Sequence, residues 1–180
     1  MLLPVIAFAL IYNSWCMRQR GPGPDIVCHK QIHGAFVQWS LETTNAPRYP
    51  NIQGDSSKSL NILNAYIKDA TAWLHDYRYV PGLSASDPPD LTLMYVAQPS
   101  RRTWHGDQHW LLGKKRWVVL NTHFDTPPAA GYPSELGEWI PTSEFTNRLA
   151  KTLQYLAANN RPYWTNVVKE HSAFLQALLK

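Results

Sequence analysis

His105, Asp107 and His109 alternate within the stretch WHGDQHWLLGKKRWVVLNTHFD, which runs from Trp104 to Asp125. In an extended segment alternate residues face the same way, so these three side chains would share one face. His123 and Asp125 follow the apolar run Trp117 to Leu120, which has the composition of a buried strand and would deliver both just past its end. Imidazole nitrogens and carboxylate oxygens held on adjacent strands are a donor set suited to zinc, whose bonds to them are ~2.0–2.2 Å long. His105, Asp107, His109, His123 and Asp125 are therefore the candidate metal ligands, with zinc as the candidate ion. Trp104 and Trp110 flank the cluster, and the same histidines would also serve as hydrogen-bond partners for buried indoles or backbone.

The elements that must position such a cluster can be read along the chain. With 180 residues, 44% of them hydrophobic and 17% charged, the sequence fits one ordered domain with a substantial core. Eight Trp and nine Tyr assign much of the packing to large side chains with a polar tip. The net charge of +4 is scattered apart from Arg101-Arg102 and Lys114-Lys115-Arg116. The aromatics fall at core spacing and are not interleaved with a basic face, which argues against a nucleic-acid partner.

Leu2 to Trp15 is almost uninterrupted apolar sequence followed by Cys16, Arg18 and Arg20. It is short for a spanning helix, which needs ~20 residues, and no Lys or Arg precedes it as in a signal peptide. The expectation is an apolar helix over residues 1–20 that anchors the chain to a membrane or exports it, leaving residues 21–180 as the globular domain. Gly21-Pro22-Gly23-Pro24 makes a hinge after it. Cys16 and Cys28 straddle the hinge and could close a short loop in an oxidising compartment, or stay unpaired. Their spacing is not a zinc pattern, and the sequence before Cys28-His29 lacks the second cysteine of a c-type haem site.

Asp25 reads as the N-cap of a helix with Cys28, Ile32, Ala35-Phe36 and Trp39 on one face, and His29 and His33 stand four apart on it. Asp55 or Ser56 caps a second helix, its apolar stripe running through Leu60, Leu63, Tyr66-Ile67, Ala70 and Trp73-Leu74. Leu91 to Val96 reads as a strand buried on both faces. His109 to Leu112 and Arg116 to Leu120 read as a hairpin across Gly113-Lys114-Lys115. Val80 to Pro89 and Thr126 to Pro141 read as loops. Thr142 or Ser143 then caps a helix with Phe145, Leu149, Leu153 and Leu156 on one face, and a last helix starts at Thr165 after the breaker Arg161-Pro162. His171 falls at the edge of the core in this reading. The fold class expected is α+β: an N-terminal apolar helix, amphipathic helices on a small antiparallel sheet, and a C-terminal helical hairpin.

Leu2-Leu3-Pro4-Val5-Ile6-Ala7 resembles the "LLxVIAI" run in the N-terminal helix of type IV pilins and type II secretion pseudopilins. Cys28 to Phe36, leading to Tyr49-Pro50, is similar to the pattern "C-x-N-L-x-Q-I-G-x-A … Y-P" of pilin-like proteins of the planctomycete and verrucomicrobial type. His105-Gly106-Asp107 and Trp117 to His123 stand where those proteins carry a strand pair reading like "H-G-G-x-N-x-L-F-x-D-G-H". The prepilin leader and the early glutamate of the mature helix are missing, Asn121-Thr122 replaces the Asp-Gly pair, and Gly21 to Pro24 interrupts the long helix. The C-terminal helical hairpin is also no part of the usual pattern. The resemblance implies an α+β head on an envelope anchor, without enzymatic activity, whose partners are other proteins or further copies in the cell envelope.

A second resemblance points to an enzyme. His123-Phe124-Asp125-Thr126-Pro127-Pro128 is similar to the "H-x-D-T-V-P" run of dinuclear zinc aminoacylases and carboxypeptidases, which implies His123 on one metal and Asp125 bridging two. Such enzymes also need a downstream Glu-Glu pair, and Glu135 and Glu138 are not adjacent. The alternative reading is thus a small metal-dependent hydrolase built on the histidine cluster. No glycine-rich phosphate loop and no serine nucleophile elbow is present.

Overall fold

A computed structural model describes residues 26–43, 49–67, 74–99, 116–122 and 138–179. The residues expected to form the membrane anchor, 1–20, lie outside it. Among the described residues no helix is long and apolar enough to cross a membrane.

The chain is an α+β protein. Helix α1 spans Ile26–Thr43 and α2 Ser56–Asn61; strands β1 Tyr77–Tyr79, β2 Thr92–Val96, β3 Arg116–Asn121 and β4 Glu138–Pro141 follow; α3 Thr142–Ala158 and α4 Trp164–Leu178 complete it. The strands form one antiparallel sheet in the order β1-β2-β3-β4. β2 is buried along its whole length, as its broken alternation suggests, because helices cover both sheet faces. On one face Trp117 of β3 stacks on Phe145 of α3, with ring centroids 4.2 Å apart and planes at 12°. Tyr95 of β2 meets Phe145 and Phe174 on that side, at 5.0 and 5.3 Å. On the other, Phe36 of α1 lies 5.7 Å from Tyr79 of β1 and 5.1 Å from Tyr49.

The C-terminal helical pair matches its sequence signature. Phe145, Leu149, Leu153 and Leu156 of α3 are all buried. Asn160 turns the chain with φ 46°, and Tyr163, at φ 61°, precedes α4. On α1 the expected inner face Ile32, Ala35 and Phe36 is buried.

Two expectations need correction. The second helix is not one long element: after Asn61 the backbone tightens to a 3₁₀ turn over Ile62–Ala65, and a separate 3₁₀ turn spans Leu74–Asp76. Leu60, Leu63, Ile67 and Leu74 are nonetheless buried, and Leu60 and Leu63 share one side because α-helical and 3₁₀ turns both bring i+3 residues together. The segment from Thr126 to Pro141, read as loop, ends in strand β4. There Trp117 pairs with Ile140 and Arg116 with Pro141, the proline closing an edge strand where its missing N–H costs nothing. The two neighbours of β3 are β2 and β4; the His109 to Leu112 half of the expected hairpin lies outside the described residues.

Candidate functional site

The cluster singled out in the sequence, His105, Asp107, His109, His123 and Asp125, lies outside the described residues. The strand expected to carry its second half is in place: Trp117 to Leu120 of β3 are buried. Thr122, directly before His123, is buried too. Its carbonyl accepts from the Tyr49 hydroxyl at 2.6 Å and its own hydroxyl donates to the Pro88 carbonyl at 2.6 Å. Among the described residues, no group of three or more His, Cys, Asp or Glu is placed to hold a metal ion. His29 and His33 both fall on α1.

A different polar site converges around His171, and it is assembled by four elements. The turn at 51–54 docks on the α3–α4 connection: Asn51 Nδ2 donates to the Pro162 carbonyl at 3.3 Å and Asn166 Nδ2 to the Gln53 carbonyl at 3.0 Å. Asp55 then caps α2, its carboxylate accepting from the Lys58 N–H at 2.8 Å, so Ser56 begins the helix facing α4. β1 and β2 pair with Arg78 opposite Tyr95, which puts these two side chains on one sheet face. α4 brings Glu170 and His171.

His171 is fully buried, correcting the expectation that it sits at the core edge. Ser56 Oγ lies 2.9 Å from Glu170 Oε2, to which it donates, and 3.0 Å from His171 Nε2. Tyr95 Oη lies 2.8 Å from His171 Nδ1. A hydroxyl has one hydrogen to give. With that hydrogen on the Glu170 side, Nε2 carries the imidazole proton and Nδ1 accepts from Tyr95. The chain of donors therefore runs Tyr95 to His171 to Ser56 to Glu170, a tautomer assigned from the network.

Burial lowers the His171 pKa from 6.5 to about 4; a hydrogen bond with the Tyr79 backbone opposes this, and the Arg78 charge adds to it. The ring is neutral at pH 7. Burial also raises the Tyr95 phenol, the Arg78 charge pulling the other way. The Ser56 hydroxyl thus stands within hydrogen-bond reach of both the Glu170 carboxylate and the His171 ring. What the relay does is pin α2, β2 and α4 together.

In front of Ser56 a cavity of about 370 Å³ opens between α2, β1 and α4. Arg78 and Glu170 face it, with Asn61, Asn64 and His75. The Arg78 guanidinium lies 4.9 Å above the Phe174 ring. A buried carboxylate apart from this site, Asp87, holds the 84–90 loop to α3 and the following turn. It accepts from the Ser84 N–H and the Tyr155 hydroxyl, each at 2.8 Å, and pairs with Arg161.

Ser56, Arg78, Tyr95 and Glu170 had no mark in the sequence as site residues. The available signal was His171 itself, which interrupts the apolar stripe Val167, Phe174, Leu178 of α4. A histidine on a core stripe requires hydrogen-bond partners from whatever packs over it. Comparison with protein-family models, curated proteins and solved structures gave no match to this chain.

Proposed function

We propose that the chain is a non-enzymatic protein of the cell envelope, of pilin-like descent, that acts through protein contacts. The observation that supports this reading is the outer side of α1. Gly34, Val37 and Leu41 recur there at i, i+3 and i+7, with Val37 41% and Leu41 65% exposed and open space around Gly34. An apolar stripe at that spacing on a helix is what a partner helix or groove takes up. Anchoring falls to residues 2–15 in this reading, and the partners are other envelope proteins or further copies of the chain.

Metal content separates this reading from the hydrolase. Protein purified without a histidine tag is expected to carry less than stoichiometric zinc, manganese or iron by mass spectrometry. Near-stoichiometric metal that is lost in the His105→Ala/His109→Ala double variant would replace the contact reading with the metal-dependent one.

A further inference from the structure

Two opposite charges in the cavity between α2, β1 and α4 fail to meet. Arg78 has no carboxylate partner among the described residues, and its Nε is buried without an acceptor. The Phe174 ring covers the guanidinium plane, which leaves its edge as the direction in which it can donate. Glu170 takes the Ser56 hydroxyl on Oε2 and has no cation partner among the described residues. Both side chains line the same cavity. Unpaired charges in a partly desolvated recess attract counter-charges more strongly than they would in water. Here the recess offers a site for an anion on one wall and a site for a cation on the other.

Asn61 and Asn64 add neutral donors and acceptors on the α2 side, while Leu60, Leu74 and Tyr77 supply an apolar wall. About 370 Å³ is at the small end of ligand cavities, which run from ~300 to ~1,000 Å³. We propose that the cavity binds a free α-amino acid with an apolar side chain, as its zwitterion. The ligand carboxylate sits on the Arg78 fork, the ammonium on Glu170, and the side chain against Leu60, Leu74 and Tyr77. A simple anion would leave Glu170 facing it with repulsion, and a simple cation would meet Arg78. Only a ligand carrying both charges satisfies both walls.

The test is a thermal-shift screen of the full chain against the twenty L-amino acids, followed by calorimetric titration of the best apolar binder. L-Leucine, N-acetyl-L-leucine and L-leucine amide form the first comparison set. Each blocked compound removes one charge without touching the protein. The expected result is binding of at least one apolar amino acid, with about tenfold or greater loss for each blocked analogue, as for a lost hydrogen bond to a charged group. Arg78→Gln and Glu170→Gln are each expected to weaken binding by a similar factor. No stabilisation by any of the twenty, or equal affinity for the blocked compounds, would overturn the proposal, whether or not the variants fold.

Discussion

Replacing His171 with glutamine changes how stability responds to acid. In the folded chain the ring is neutral and hydrogen-bonded on both nitrogens, and burial holds its pKa at about 4 against an ordinary 6.5. Above pH 6.5 the ring is neutral whether the chain is folded or not, and the group adds no pH dependence. As pH falls through 6.5 the unfolded chain takes up a proton that the folded one refuses, so stability declines. The decline ends near pH 4, where the folded chain is protonated as well. At ~1.36 kcal/mol per pH unit, that window is worth about 3 kcal/mol. His171→Gln starts lower at pH 7, by about 1–3 kcal/mol, because one of the Tyr95 and Ser56 hydroxyls loses a partner in a buried site. It lacks the titration, so the gap to wild type closes as pH falls. Urea unfolding followed by tryptophan fluorescence at half-unit steps from pH 7.5 to 4 reads the gap directly, and the other histidines cancel in the difference. A gap that stays constant within error across that range would refute a buried neutral His171.

Two further substitutions probe the frame that holds the site. Asp87→Asn keeps the shape but leaves Arg161, which is 30% exposed, facing a neutral amide. It is expected to cost about 1–3 kcal/mol, less than a fully buried pair because Arg161 is partly solvated, read as a lower urea midpoint. Gly54→Ala meets two obstacles: φ is 75°, and a Cβ there would come within 2.8 Å of the Tyr163 carbonyl oxygen. Because Tyr163 opens α4, the change is expected to lower stability by more than ~1 kcal/mol and to speed amide exchange at Ser56 and Asn166. A neutral outcome would contradict the docking of the 51–54 turn on the α3–α4 connection.

The sequence made periodic elements legible and short ones illegible. The α3 stripe Phe145, Leu149, Leu153, Leu156 repeats over about three turns, and each residue is buried. Leu91 to Val96 breaks the alternation of a half-buried strand, and each of its residues is buried. β1 and β4, of three and four residues, are shorter than the periodicity needed to see them, and β4 ends in the proline that suggested a loop. The break after Asn61 was hidden because α-helical and 3₁₀ turns both bring i+3 residues to one side. The site was less legible than the fold, because it joins Ser56, Arg78, Tyr95 and Glu170-His171 across strand pairing and helix docking. In the sequence only His171, out of place on an apolar stripe, pointed to it. The histidines and aspartates between 105 and 125 stand out by their alternation and by the strand that precedes His123, and they lie outside the described residues, while the described polar site is built from residues scattered along the chain.

Protein contact through α1 is tested most directly by a photo-cross-linking amino acid placed at position 41, with position 147, exposed on α3, as the control. After irradiation in cells and separation of the envelope fraction, the 41 variant should run as one discrete heavier band that the 147 variant lacks. Its mass identifies either a second copy or another protein. Failure of position 41 to cross-link, or the same smear from both positions, would contradict a role carried by contacts on this helix.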